Sequence, residues 1–167
     1  MAENGLAAAS PFAILTVGRM SASAAVLGVL ALIAIYSDTS ASMLDLWSRM
    51  NAFDHAFLIL PVCVYLIWER RHVLAGIGPS PSVVGAILLT GFGGMWMAAD
   101  AVDVVVGRQA ALIGMVESLV LTVVGWRQFR ILLFPMLFLW LVLPTDLNLL
   151  PVMQRIATIV SSHAIAL

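Results

Sequence analysis

Five apolar runs separated by short polar interruptions set out this chain: Met20–Tyr36, Phe53–Trp68, Val83–Ala99, Ala110–Trp126 and Ile131–Leu143. A bilayer core of about 30 Å takes about 20 helical residues, with about 17 as the lower limit. The first four runs reach that length once their flanks are counted. The fifth is shorter, but Trp126 to Pro144 suffices if Arg127 and Arg130 snorkel to the interface. A sixth run, Pro151–Leu167, carries Gln154, Arg155 and His163 and reads equally as a span or an interfacial helix. The pattern predicts an all-α polytopic membrane protein: five transmembrane helices plus a sixth membrane or interfacial helix, in a single domain over 1–167. The Gly/Pro/Ser stretch from Gly76 to Ser82 breaks the second helix from the third.

Composition removes the soluble alternative. Apolar residues are 62% of the chain and charged residues 10%, with a mean hydropathy of +1.07. A soluble domain carries about 25% charged residues to wet its surface, so lipid is the expected solvent here. Met20–Tyr36 is too long for a signal-peptide core and further spans follow, so it reads as an uncleaved first helix. A net charge of -1 without a basic patch gives no sign of a nucleic-acid partner, and one cysteine leaves no intramolecular disulfide.

Loop arginines set the orientation. With the N-terminus inside, Arg19, Arg70, Arg71, Arg127 and Arg130 are cytoplasmic, while Arg49 and Arg108 lie outside. The outer loops then collect Asp38, Asp45, Asp54, Asp100, Asp103 and Asp146. Small residues at four-residue spacing, Ala24/Gly28 in the first helix and Ala86/Thr90/Gly94 in the third, predict the faces where helix backbones approach.

Few residues offer chemistry. Cys63 lies mid-helix between Val62 and Val64, with Ile59, Leu60, Leu66 and Ile67 one turn away. A reactive thiolate needs an electropositive, partly exposed setting, so Cys63 reads as a packing residue. Asp54-His55 opens the second helix, either as an interfacial cap on the helix dipole or as a polar contributor to an outward-facing site. Glu117 is the one acid in the middle of a span, where an ionised carboxylate must find a partner or stay protonated; structural and functional readings stand level. Asp100 and Asp103, three apart, meet on one helix face, but without further ligands they read as a solvated outer loop rather than a cation site. No metal or cofactor site is expected, and HExxH, GxSxG and phosphate-loop patterns are absent from the sequence.

Two blocks carry a family resemblance. The first runs His55-Ala-Phe-Leu-Ile-Leu-Pro61-Val-Cys-Val-Tyr65-Leu66-Ile-Trp68-Glu-Arg-Arg71. The second runs Arg130-Ile-Leu-Leu-Phe134-Pro135-Met-Leu-Phe138-Leu139 and ends at Leu143-Pro144. Together, in this order, they resemble the exosortase/archaeosortase family of prokaryotic multi-pass membrane enzymes, and Pro151–Thr158 is similar to that family's next helix. Ala56 stands where the family usually has Gly, and Thr145-Asp146 where a second Pro often follows. The resemblance implies a cysteine transpeptidase or protease of the bacterial inner (plasma) membrane. Its partners would be the lipid bilayer and exported proteins with C-terminal sorting signals of the PEP-CTERM type. A thiolate would attack the peptide carbonyl while a His moves protons and an Arg steadies the oxyanion.

In the family the catalytic Cys, Arg and His lie downstream of the block that Pro151–Thr158 resembles. No catalytic residue is therefore carried over; His55 and Glu117 are the only candidate supporting polar residues. The apolar end Ser-Ser-His-Ala-Ile-Ala-Leu167 fits an N-terminal portion, inactive alone, of a longer protein or a truncated gene product. The competing reading is a non-catalytic membrane protein, such as a transporter subunit or assembly partner, with a functional partner for Glu117.

Overall fold

The computed structural model describes residues 11–49 and 54–143, for a few of them the backbone alone. The described residues form helices and turns, in agreement with the all-α expectation. The helices are α1 (Pro11–Ile35), α2 (Ser37–Arg49), α3 (Asp54–Glu69), α4 (Arg71–Ala75), α5 (Val83–Ala101), α6 (Val105–Val124) and α7 (Trp126–Leu139), followed by a 3-10 turn, Trp140–Val142. The sixth predicted segment, Pro151–Leu167, and the Pro144 end of the second block lie outside the described residues.

Helix α6 is the centre of the assembly, touching α1, α2, α5 and α7. Its buried face includes Gln109, Leu112, Met115, Ser118 and Leu121. Helices α5 and α6 form a hairpin. Asp103 takes the left-handed conformation at its turn (φ 52), which Asp tolerates better than most residues. Val104 N–H then closes on Ala99 O at 2.9 Å. At the other end, Ser82 N–H donates to Thr122 O and Ser80 N–H to Val124 O, which ties the predicted Gly76–Ser82 loop to the end of α6.

The seam between α5 and α6 differs from the one the small residues predicted. Ala86, Thr90 and Gly94 are exposed, and a methyl group on Gly94 would meet nothing within 4 Å. The packing face is instead Gly85, Leu89, Phe92, Trp96 and Ala99. A methyl on Gly85 would lie 2.5 Å from Thr122 N, and Phe92 fills the space over Gly114. A small-residue stripe permits close approach from either side of a helix; here large side chains filling the gap decide the side. In α1 the prediction is half right. Gly28 lies under Leu119 of α6, whereas Ala24 is exposed.

The predicted loop after the first helix is also a helix. The chain bends by 83° between Ile35 and Ser37 and continues as α2, whose Thr39, Met43 and Trp47 are all buried. Their four-residue spacing gives α2 one inward face despite its polar composition.

By length and apolarity, two helical stretches of the described residues suit a bilayer, Val83–Ala101 and Val105–Val142. A third is added if the bent pair Met20–Ile35 and Ser37–Ser48 counts as one span. That is fewer than five: Val105–Val142 joins α6 and α7, the first helix is counted only together with its bent partner, and α3 has 16 residues. The Val105–Val142 stretch is not one rod. The Trp140 side chain hydrogen-bonds Glu117, two residues that a continuous helix would hold about 35 Å apart. The chain turns back at Gly125, the one described glycine with positive φ (80), and α7 returns along α6.

Candidate functional site

The two blocks of the family resemblance fold as one helix pair, α3 against α7. Its chemistry centres on Pro135, which is fully buried in mid-helix. A proline has no N–H, so the carbonyl four residues earlier loses its helical donor. That carbonyl is Ile131 O, and Arg70 Nη1 donates to it over a long 3.5 Å. One turn on, the Cys63 thiol donates to Pro135 O at 3.4 Å. Such repair of proline-broken helices by neighbouring side chains is what the bilayer interior demands.

These contacts define what Cys63 is. It is 3% exposed and belongs to an apolar cluster with Ile59, Leu112, Met115 and Val142. No cation or imidazole contacts its sulfur among the described residues, the kind of neighbour that activates a thiol.

Glu117 lies half-buried in mid-α6. The Trp140 side chain lies within hydrogen-bonding reach of its carboxylate, while its Oε1 is buried without a partner among the described residues. No basic side chain forms an ion pair with it among the described residues. His55 is the second residue of α3; its side chain lies outside what the structure describes, so the two candidates are not brought into one site.

At the α5–α6 turn, Arg108 bridges Asp100 at 2.8 Å and Asp103 at 3.1 Å. The two acids share one guanidinium, an arrangement that stabilises the turn. Beneath it sits a polar cluster that the sequence reading missed. Trp96 Nε1 donates to Thr39 Oγ1 at 3.1 Å, and Gln109 Nε2 to Ser42 Oγ at 3.5 Å. Gln109 is fully buried, and both its Oε1 and the Trp47 indole N–H lack partners among the described residues. The signal was available: Gln109 is a lone uncharged polar residue in the first turns of an apolar helix.

A lateral apolar groove of about 970 Å³ runs between α1 and α3, floored by α6 and α7. Cys63 belongs to its α3 wall and Met136 to its floor, Trp47 and Val142 to one end, and Trp68, Arg71 and His72 to the other. At that second end Arg71 donates to Trp68 O at 2.8 Å and lies over the Trp68 ring at 4.5 Å. The arrangement suits an apolar chain with a polar or anionic terminus; it assembles no acid, base and nucleophile.

No curated protein and no solved structure matches the chain. A family model described as transmembrane exosortase matches residues 47–167, a stretch holding both blocks, the α3–α7 pair and the central helix α6. The chain belongs to the transmembrane exosortase family.

Proposed function

We propose that this chain is the N-terminal portion of an exosortase-like membrane cysteine transpeptidase or protease that processes C-terminal sorting signals of exported proteins. It supplies the membrane scaffold and is inactive alone. The observation that carries this reading is the α3–α7 pair. The residues of the two family-like blocks meet through Arg70–Ile131 and Cys63–Pro135, so the motifs serve helix packing. The chain's single cysteine is engaged in that packing.

The same reading places the chain in a bacterial inner membrane, N-terminus inside, with α1, α3, α5, α6 and α7 crossing and Pro151–Leu167 as a sixth segment. Supporting it, Gly28 packs on Leu119 while Ser42 pairs with Gln109, so α1–α2 runs opposite to α6. Cys63 with Pro135 and Arg70 with Ile131 make α3 and α7 antiparallel in the same way. Arg70, Arg71, Arg127 and Arg130 then cluster at one end and Asp100 and Asp103 at the other, as the loop-arginine rule requires.

The test is a secreted reporter ending in a Pro-Glu-Pro motif, a membrane helix and a basic tail. It is expressed with this chain alone, then with a catalytic Cys/Arg/His segment from an active relative. Release is expected only in the second case. Release by this chain alone, abolished by Cys63→Ala, would overturn the scaffold-only role. Failure of every active relative's segment to restore release would sink the transpeptidase reading.

A further inference from the structure

We propose that the groove between α1 and α3 binds an anionic phospholipid, its acyl chains along the groove and its phosphate against Arg71 and His72. The inference needs the membrane setting of the chain and is independent of the catalytic reading.

Three observations lead to it. First, the groove is lined almost wholly by aliphatic side chains, and no Asp or Glu lines it among the described residues. Its volume of about 970 Å³ is at the upper end of small-molecule pockets. From Leu60 on α3 to His72 on α4 it runs at most about 18 Å, close to the roughly 15 Å of one leaflet's hydrocarbon.

Second, charge is confined to one end. Arg71 and His72 line that end, and Arg70 stands beside them. Neither arginine forms an ion pair among the described residues: Arg70 binds a backbone carbonyl, and Arg71 binds Trp68 O and the Trp68 ring. Arg71 is thus oriented by neutral partners and keeps its charge available for an anion, and a guanidinium suits a phosphate well. Basic pockets between transmembrane helices are recognised sites for anionic headgroups.

Third, Trp68 marks the headgroup level. It is 63% exposed and carries Arg71 on its ring, the position that interfacial tryptophans favour. The groove therefore opens to lipid beside its own interfacial anchor. A zwitterionic lipid would fill the apolar part equally well but would bring a cation to an end that already holds two arginines.

The full chain, purified in mild detergent, is mixed with phosphatidylglycerol or phosphatidylcholine of identical acyl chains, and bound lipid is counted by native mass spectrometry. Phosphatidylglycerol is expected to be retained roughly tenfold better, and Arg71→Gln with His72→Gln should reduce this to roughly twofold. Both side chains are exposed, so the variants should unfold at the parent's temperature. Equal retention of the two lipids, or a preference untouched by the substitutions, overturns the proposal. A photo-crosslinking residue at Val64, a groove-lining position, should capture lipid in native membranes. Capture of residues 144–167 or of a second copy would give the groove to another occupant and overturn it too.

Discussion

Arg70 donates to the carbonyl of Ile131, the acceptor that Pro135 deprives of its helical partner. The pair is a long-range repair: a break made by one helix is satisfied by the end of another. Arg70→Ala should destabilise the protein by at most about 1 kcal/mol. In a Pro135→Ala background the restored N–H serves Ile131, so Arg70→Ala should then cost little. Thermal unfolding of the two single variants and the double variant in detergent checks this. An equal Arg70→Ala cost in both backgrounds would dismiss the coupling.

Glu117 and Trp140 should behave as a second coupled pair. Trp140→Phe removes the indole N–H that faces the carboxylate and should cost about 1–3 kcal/mol. Glu117→Leu removes the need for the bond, so Glu117→Leu with Trp140→Phe should be more stable than Trp140→Phe alone. If the double variant is the least stable, Glu117 has another essential partner.

Gly125 should tolerate no side chain. At φ 80 and ψ 171 it occupies a region essentially reserved for glycine, where other residues cost about 1–3 kcal/mol. A methyl group there would also collide with Ser80 O. Gly125→Ala should therefore lower the yield of folded protein sharply. Gly91→Ala is the control: a methyl there meets nothing within 4 Å, and helix propensity favours Ala by up to about 1 kcal/mol. Comparable losses from both would mean that glycine content in general, not the turn, is required.

The seam between α5 and α6 gives a similar contrast. Gly85→Ala drives a methyl against Thr122 N and Cα, at 2.5 and 2.8 Å, and backbone cannot move aside cheaply. A loss of about 1–3 kcal/mol is expected. Gly94→Ala should be neutral or slightly stabilising. The reverse order would restore the Ala86/Thr90/Gly94 stripe as the packing face.

How legible was this in the sequence? Helices α3 and α7 read well because charged residues frame apolar blocks, and the fifth helix starts at Trp126 with Arg127 and Arg130 in its first turns, as anticipated. Family membership was legible from the same two blocks. Helix α2 was missed because Asp38, Asp45 and four serines look like a loop; its Thr39/Met43/Trp47 face matters only once something covers it. The α5 seam was assigned to the wrong side because periodicity shows which residues share a face and not what lies opposite. The apolar surroundings of Cys63 follow from its apolar neighbours in sequence. Trp140 as the partner of Glu117 could not be foreseen, since it depends on α7 folding back at Gly125. The groove was equally hidden: it exists because α1 and α3 stay apart on a shared floor, a property of the assembly.

The contact of Gly28 with Leu119 bears on the order in which the protein assembles. Helix α1 leaves the ribosome before α6, the helix it packs on most, and α2 to α5 come between them. Until then α1 has lipid, α2 and the short α4 for company. Its apolar length must hold it in the bilayer unaided, and its final position is set from behind. A helix made early is fixed late.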